Sequence, residues 1–347
     1  MGMGLVRPDP GAGAASARKW LRERLRLPVM AAPMLRVSGP ALVAAACGSG
    51  IIGAFPTANA QSRDELDVWL QAIRHEIDAL AREGKRIGPF CANLIMRRSS
   101  GQLRSDLDSL VRHGAEIVIT SVGSPEAIVG PLHDAGCLVL ADVASMRHAE
   151  RAIEAGVDGL VLLSAGAGGQ TGWANPLAFV RAVRRDYDGI IALAGGLSDG
   201  VSLLAATVLG CDLGLMGTRF IASRESLAAE SYKQMLVDAS LDDITLTRAF
   251  TGLPANFLTP SILQAGLDPA SLPEGLSVAE ARSRWGRDAT GDGPKRWSGL
   301  WSAGHSVAGV HDIPDVAEIV ARIEDEFRGG QHPLPEKLMN LAAEERT

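Results

Sequence analysis

The feature that most constrains the fold of this chain is a series of short apolar runs that alternate with helix-like segments between Pro28 and Arg219. There are eight such runs, at residues 29–34, 51–55, 87–95, 117–122, 138–143, 159–164, 190–194 and 213–217. They are almost continuously apolar, which is typical of parallel strands that are covered on both faces. Eight strand-then-helix units in succession predict an α/β protein with a (β/α)8 TIM barrel, and an open doubly wound sheet is the alternative.

The predicted barrel occupies residues 26–222, and the segments on either side of it differ in character. Residues 1–25 are rich in glycine, alanine and arginine and are expected to form a flexible N-terminal arm. Residues 223–295 contain helix-like segments and no clear strand, so we expect a small helical insertion that caps the barrel after the eighth strand. Residues 296–330 are expected to close the barrel with an amphipathic helix near Val316–Phe327, and residues 331–347 are expected to form a tail.

Composition excludes several classes of protein. The 347 residues include 34 Lys and Arg against 40 Asp and Glu, giving a formal net charge of −6, and 46% are hydrophobic. This apolar fraction can bury a large core, so most of the chain is not disordered. Without a basic excess, binding to nucleic acid or to an acidic membrane is not expected. No apolar run is long enough for a membrane span, and the N-terminus lacks the apolar stretch of a secretory signal.

The four cysteines lie far apart in the sequence, at Cys47, Cys91, Cys137 and Cys211. A zinc site or a redox dithiol needs closer spacing, and a disulfide framework is not expected in so long a chain. We therefore expect no metal and reduced thiols in a cytoplasmic protein.

Two neighbouring strand ends carry the glycines of a candidate phosphate site. Gly195 and Gly196 follow the seventh predicted strand, and Met216, Gly217 and Thr218 stand at the end of the eighth. The chemistry of a TIM barrel lies at the carboxyl ends of its strands, and strands seven and eight commonly bind phosphate. Glycine lets backbone N–H groups approach an anion closely, and a threonine hydroxyl can add a hydrogen bond. We interpret these turns as a phosphate cradle rather than as two ordinary strand–helix turns.

Two other strand ends offer contacts for a flat heterocycle. The first predicted strand leads into Ala32, Pro33 and Met34, a turn that can present backbone amides beside a ring. Asn93 is a polar residue in the apolar third run, and its amide can both donate to and accept from the edge of a heterocycle. Packing of the turn and a backbone hydrogen bond from Asn93 are competing interpretations that the sequence leaves open.

The most individual stretch follows the sixth predicted strand, where residues 164–173 read SAGAGGQTGW. Four glycines in ten residues predict a tight loop whose backbone lies against a ligand. Gly168 and Gly169 are the expected contacts, and Gln170 and Trp173 offer an amide and an aromatic wall beside them.

Taken together, these residues resemble the nitronate monooxygenase family, formerly called 2-nitropropane dioxygenase. The motifs that carry the resemblance, between about Pro28 and Phe327, are Ala32-Pro33-Met34, Asn93, Ala167-Gly168-Gly169-Gln170-Thr171-Gly172, Ala194-Gly195-Gly196-Leu197-Ser198-Asp199-Gly200, Met216-Gly217-Thr218-Arg219-Phe220 and Ser302-Ala303-Gly304-His305-Ser306-Val307-Ala308-Gly309. The resemblance implies a barrel that binds FMN, with the phosphate at Gly195, Gly196, Gly217 and Thr218. It also implies contacts with the flavin ring near Pro33, Met34, Asn93 and Gly168, and Ala32, Gly169 and Met216 complete the expected cofactor-binding set.

The chain departs from the family in the loop after the sixth strand. Many members have Ala-Gly-Gly-His there, and that His is the proposed catalytic base, whereas this chain has Gln170. His305, in turn, stands where the family usually has Gln. An amide accepts no proton at useful pH but can donate a hydrogen bond. The resemblance with this change implies oxidation of alkyl nitronates with O2, with Gln170 as the catalytic residue and little activity on neutral nitroalkanes.

Other functions stay open at the level of sequence. FMN-dependent NAD(P)H:quinone reductases and enoyl-acyl carrier protein reductases share the resemblance, and a flavin-binding barrel without catalysis is a further class. An IMP dehydrogenase-like barrel needs a nucleophilic cysteine beside the phosphate, whereas Cys211 precedes the eighth strand, at its opposite end. His305 either faces the site or is structural. Asp142 either meets the ligand or, as we expect, caps the next helix.

Overall fold

The computed structural model describes residues 13–286 and 294–329, and its centre is a closed barrel of eight parallel strands. The strands of the structure are β1 (Val29–Ala31), β2 (Ile52–Pro56), β3 (Phe90–Ile95), β4 (Ile117–Ser121), β5 (Leu138–Val143), β6 (Gly159–Leu163), β7 (Gly169–Gln170), β8 (Ile190–Ala194), β9 (Leu213–Met216), β10 (Ile244–Thr247) and β11 (Ala255–Leu258). The barrel order is β1-β2-β3-β4-β5-β6-β8-β9, and β9 pairs with β1 to close it. The prediction of a TIM barrel is confirmed. The predicted tail at 331–347 lies outside the described residues.

Helices surround the barrel. They are α1 (Gly13–Arg24), α2 (Pro40–Gly48), α3 (Arg63–Arg82), α4 (Ser100–Arg112), α5 (Glu126–Asp134), α6 (Met146–Glu154), α7 (Pro176–Asp186), α8 (Gly200–Leu209), α9 (Thr218–Ile221), α10 (Glu230–Asp238), α11 (Thr259–Gln264), α12 (Val278–Trp285) and α13 (Val316–Phe327). Helices α2 to α8 connect successive barrel strands. Helix α13 packs against α8 and α2, so it takes the place of the eighth barrel helix.

Local sequence determines where the barrel helices begin and end. Ser62, Ser99 and Ser145 precede α3, α4 and α6, and each side chain accepts a hydrogen bond from a backbone N–H of the first turn. Asp199 does the same for α8. That helix ends at Gly210, whose φ of +107° lies in the left-handed region that glycine adopts without strain.

The barrel strands bury both of their faces. Met30 and Leu140 belong to the cluster of side chains that includes the barrel interior, whereas their chain neighbours Val29 and Val139 pack in the cluster formed with the surrounding helices. Successive side chains of a strand point to opposite faces, so every second residue faces the interior. At the carboxyl end of each strand, a residue that lies two positions beyond an interior residue therefore faces the mouth of the barrel.

Helix α1 covers the amino-terminal end of the barrel, and the prediction of a flexible arm is wrong for residues 13–24. Ala17, Trp20 and Leu21 are buried in the same cluster as the barrel interior. Arg24 forms an ion pair with Glu116 at the start of β4, with 2.8 Å between Nη1 and Oε1. The arginine-rich composition conceals this helix because its apolar residues form only a narrow stripe.

The segment predicted as a helical insertion contains helices and also two strands, so its description as purely helical is wrong. Strands β10 and β11 pair antiparallel, with Ile244 opposite Leu258, and β11 also pairs with β7, with Ala255 opposite Gln170. Strands of four residues are too short for a clear alternating pattern. The partner of β11 in this pairing, the two-residue strand β7, is distant in sequence, so no local sequence pattern predicts the pairing.

Several classes of site are absent from the described part of the chain. None of its helices has the length and apolar character needed to cross a membrane. Nor do residues 13–286 and 294–329 contain a group of three or more His, Cys, Asp or Glu that could hold a metal ion. All four cysteines are buried, and burial raises the pKa of Cys47 and of Cys211 to about 12.

We expect Trp20→Ala to lower the free energy of unfolding by about 3–5 kcal/mol, because it removes a large side chain buried against the end of the barrel. Chemical denaturation followed by circular dichroism measures this change. Lys19→Ala alters an exposed neighbour in the same helix and should shift stability by less than about 0.5 kcal/mol. Equal effects of the two substitutions would show that α1 does not stabilise the barrel.

Candidate active site

The loop after β6, the turn after β8 and the segment before α13 meet at the carboxyl end of the barrel. Gly195 has φ +120° and Gly196 has φ +76°, which are conformations that favour glycine. A Cβ atom at Gly195 would lie 2.6 Å from the hydroxyl oxygen of Ser164, and a Cβ atom at Gly168 would lie 2.7 Å from the backbone nitrogen of Gly304. Side chains are therefore excluded at Gly168 and Gly195 by contact and disfavoured at Gly196 by its backbone conformation. Together with Gly217 at the end of β9, these residues form what we name the glycine cradle (Gly168, Gly195, Gly196 and Gly217).

Thr218 lies where the cradle meets the segment before α13. Its hydroxyl oxygen accepts a hydrogen bond from the N–H of Gly304 at 3.0 Å, so the hydroxyl hydrogen can be donated to a phosphate oxygen. The next residue, Arg219, is buried and forms an ion pair with Asp312, with 2.9 Å between the two side chains. Burial lowers the pKa of the Arg219 guanidinium, and Asp312 opposes this effect. The positive charge of Arg219 is thus paired with the negative charge of Asp312 within the protein.

The turn after β1 is anchored beside β9. The N–H of Ala32 donates to the carbonyl of Met216 at 2.9 Å, which continues the pairing of the two strands. The carbonyl of Met34 accepts a hydrogen bond from the Asn59 amide at 2.9 Å. The Met34 sulfur lies 3.6 Å from the Cβ position of Gly217. The structure therefore brings the residues expected at the ring next to those expected at the phosphate.

Three polar side chains at the mouth form what we name the polar strip, with Asn93 on β3, Ser121 on β4 and Asp142 on β5. Each is two residues beyond a side chain of the interior cluster, namely Cys91, Ile119 and Leu140, so each faces the mouth. The Ser121 hydroxyl donates to the Asn93 side-chain oxygen at 3.3 Å, and the Asn93 amide donates to the Ile119 carbonyl at 3.4 Å. The backbone hydrogen bond that was the alternative for Asn93 is present, and it is long.

Asp142 does not cap helix α6, so that expectation is wrong. The cap is Ser145, whose hydroxyl accepts from the N–H of His148 at 3.3 Å. Among the described residues, no hydrogen-bond donor or cation reaches the Asp142 carboxylate. Burial raises the pKa of Asp142 from 3.8 to about 7, because the apolar barrel interior disfavours the charged form. This carboxyl therefore titrates near neutral pH.

The inserted strands hold the loop that carries Gln170. Gln170 pairs with Ala255 across β7 and β11, and the Asn256 amide donates to the carbonyl of Ala167 at 2.7 Å. Gly169, the other residue of β7, has φ +66°, which turns the loop sharply just before Gln170. Within the described residues no hydrogen bond engages the Gln170 side chain. Its amide is therefore available to a ligand.

Trp173 ends this loop and His305 comes much later in the sequence, and their surroundings in the structure differ. The His305 N–H donates to the Gly166 carbonyl at 2.9 Å, and a Cβ atom at Gly166 would lie 2.7 Å from the His305 Nδ1. The His305 ring thus packs on the loop that carries Gln170. Trp173, the expected aromatic wall, is 83% exposed.

Sequence reasoning missed two polar residues that shape this region, Ser121 and Asn256. Ser121 ends an apolar run, where a polar residue is unremarkable by itself, although its even spacing from Ile117 and Ile119 signals the same face of the strand. Asn256 acts from the insertion, far from the loop in sequence. No local pattern could have assigned it to this site.

The fold is a parallel α/β barrel, and its mouth carries the glycine cradle and the polar strip. These features are typical of TIM-barrel enzymes that hold a phosphate-bearing cofactor. The sequence model of the nitronate monooxygenase family matches residues 18–326, and the chain belongs to this family. It is accordingly an oxidoreductase, and FMN is the cofactor of the family.

Individual relatives are distant but cover most of the chain. A nitronate monooxygenase from Paraburkholderia phytofirmans is 26% identical over 344 residues, which cover 87% of this chain and 92% of the relative. A (3aS,4S,5R,7aS)-5-hydroxy-7a-methyl-1-oxo-octahydro-1H-indene-4-carboxyl-CoA dehydrogenase from Rhodococcus jostii is 26% identical over 273 residues, which cover 79% and 73%. The structure of FabK from Thermotoga maritima matches with a TM-score of 0.73 at 26% identity, covering 92% of this chain and 97% of that one.

The residues at the mouth fit FMN. A Cβ atom would meet nothing within 4 Å at Gly196 and nothing nearer than 3.6 Å at Gly217, so the backbone at these two strand ends is open to a phosphate. Asn93 supplies a donor and an acceptor of the kind that the polar edge of a flavin ring needs. The cofactor of the family is therefore compatible with this chain's own side chains.

We expect Gly168→Ala to weaken FMN binding by at least about tenfold, equivalent to about 1.4 kcal/mol, because the added methyl must displace the Gly304 backbone. Titration of the apoprotein with FMN, followed by flavin fluorescence, measures the dissociation constant. Gly101→Ala is the matched control, since a Cβ atom at Gly101 meets nothing within 4 Å. If both variants bind FMN as the wild type does, the cofactor does not lie in the cradle.

Asp142 makes the stability of the apoprotein depend on pH. Its pKa is raised in the folded state, so its protonated form stabilises the fold fully below about pH 4, and this contribution is lost as pH rises toward about 7. From about pH 5 to pH 8, wild type should therefore lose about 1–3 kcal/mol of unfolding free energy relative to Asp142→Asn. Urea denaturation of both apoproteins at several pH values measures the difference. A difference that does not vary with pH would contradict the raised pKa.

Proposed function

We propose that this chain is a nitronate monooxygenase that oxidises alkyl nitronates with O2, using FMN bound in the mouth of the barrel. In this proposal the cradle residues Gly195, Gly196 and Gly217, with Thr218, hold the phosphate, and the ring lies against Ala32, Pro33, Met34, Asn93, Gly168, Gly169 and Met216. The observation that carries the proposal is the unengaged side-chain amide of Gln170, which follows Gly168 of the glycine cradle by two residues in a loop held by the pairing of β7 with β11.

The proposed substrate class follows from what an amide can and cannot do. A nitronate is an anion that has already lost its α-proton, so its site needs hydrogen-bond donors and no general base. The Gln170 amide offers two N–H donors for the nitronate oxygens. When bound, FMN accepts the electrons of the substrate and reacts with O2. The protein has only to orient the anion over the ring.

A neutral nitroalkane sets a different requirement, because its α-proton must be removed first. A positioned general base contributes about 10²–10⁴-fold to such a step, and Gln170 cannot accept the proton. His305 contacts the same loop through Gly166, and in this proposal it supports the loop rather than the reaction. Nitroalkanes are therefore expected to be poor substrates.

A second candidate function is favoured by one comparison. The dehydrogenase of a carboxyl-CoA thioester from Rhodococcus jostii is as similar to this chain, at 26% identity, as the nitronate monooxygenase from Paraburkholderia phytofirmans. This supports an FMN-dependent reductase that uses NAD(P)H with an enoyl thioester or a quinone. No G-x-G-x-x-G motif opens a strand–helix–strand unit here, so the nicotinamide would have to bind over the flavin. Rapid oxidation of NAD(P)H that requires an enoyl thioester or a quinone would favour this candidate.

The initial rates on a pre-ionised nitronate and on its parent nitroalkane test the proposed function. We expect the nitronate to react at least about 100-fold faster, because the Gln170 amide cannot accept the α-proton that the nitroalkane must lose. Gln170→His should raise the nitroalkane rate by about 10-fold or more, whereas Gln71→His, on the exposed face of α3, should leave it unchanged. Equal wild-type rates on the two substrates would overturn the proposal.

A further inference from the structure

Asp142 is an ionisable group at the barrel mouth that the proposed reaction does not use. It stands at the end of β5, two residues beyond the interior residue Leu140, and it is half-buried. No described donor or cation engages its carboxylate, and the helix that follows is capped by Ser145 instead. An unpaired carboxyl in such a place costs folding free energy, so the fold itself does not account for it.

The barrel order places Asp142 on the strand next to β4, at the end of a polar strip whose other two members lie across the mouth from the glycine cradle. The cradle lies at the ends of β8 and β9, and the polar strip of Asn93, Ser121 and Asp142 lies on β3, β4 and β5. In the closed ring of eight strands, β3 and β4 stand opposite β8 and β9. A cofactor whose phosphate occupies the cradle and whose ring extends across the mouth therefore reaches the strip with its far end.

We propose that Asp142 meets the polar edge of the FMN ring and takes up a proton when the ring is reduced. This inference rests on the part of the proposed function that places FMN in the mouth, and it does not depend on the identity of the substrate. Asp142 is then the group through which pH controls how readily the bound flavin accepts electrons.

The charges explain why the proton is taken up. Two electrons and one proton added to the neutral oxidised ring leave it with one negative charge. An ionised carboxylate beside that charge is repelled by it, so Asp142 binds a second proton from solvent, and the pair carries the same total charge before and after reduction. Below the pKa of Asp142 the carboxyl already holds its proton, and only the first proton is taken up.

Among the described residues, no other ionisable group on the elements around Asp142 engages its carboxylate. Cys91 on β3 is the ionisable neighbour within the barrel, and burial raises the pKa of its thiol well above the usual value, so it stays neutral. Among the described residues, neither β4 (Ile117–Ser121) nor β6 (Gly159–Leu163) has an ionisable side chain. Arg147 and His148 begin the next helix and are exposed. No ionisable group of these elements compensates the charge of Asp142.

The experiment is a measurement of the reduction potential of the FMN-loaded protein against pH, with dithionite as the electron donor and a dye of known potential as reference. Each proton taken up with two electrons contributes about 30 mV per pH unit. Between about pH 7 and pH 9 we expect the wild-type potential to fall more steeply than that of Asp142→Asn by about 30 mV per pH unit. The visible spectrum of the oxidised wild type should also titrate near neutral pH, and that of the variant should not.

Two further variants keep the inference falsifiable. Asp134→Asn makes the same change at an exposed position at the far end of α5 and should behave as the wild type does. Asp142→Ser removes the carboxyl without introducing an amide. It should show the same shallower slope of potential against pH as Asp142→Asn, which would show that the Asn amide is not the cause of the change. Equal slopes in the wild type and in both Asp142 variants would overturn the inference.

Failure of this inference can be told from failure of the proposed function. Turnover of nitronates with equal slopes would overturn the role of Asp142 alone. A slope difference in a protein that does not oxidise nitronates would support the role of Asp142 and overturn the substrate assignment.

Discussion

The pairing of β1 with β9 is the interaction on which the rest of this molecule depends. Backbone hydrogen bonds align Met30 with Leu215 and Ala31 with Met216, joining the first and last strands of the barrel. In an open sheet these strands would be opposite edges, and the Met34 turn would lie far from Gly217. Closure instead brings the Met34 sulfur within 3.6 Å of the Cβ position of Gly217. The entropy lost in joining such distant segments is offset by the apolar surface that closure buries.

A second long-range pairing determines the shape of the loop after β6. A segment with four glycines in ten residues has many conformations to lose on folding. The edge of β11 restricts it through Ala255 and Asn256, and the segment before α13 does so through Gly304 and His305. The insertion is thus part of the site, and the position of Gln170 depends on residues that follow the barrel.

The barrel was predictable because its signals are local. Strand β5 and helix α13 have the bounds that periodicity predicts, since continuous burial on both faces and a capped amphipathic stripe are each encoded within a few residues. The packing of helix α1 against the barrel was missed because arginines surround its apolar stripe, and β10 and β11 were missed because they are short. The expected helix cap at Asp142 was wrong for a related reason, as Ser145 stands closer to the first turn of α6 and takes that role.

The sequence alone determined the order of strands and helices, the glycines that stand at strand ends, and the replacement of a family histidine by Gln170. These are properties of neighbouring residues, and neighbouring residues suffice to state them. The tertiary structure alone decided which strand ends face one another, which loop the insertion braces, and that burial raises the pKa of Asp142 to about 7. Desolvation is a property of everything that surrounds a group, and what surrounds Asp142 is assembled only when the barrel closes.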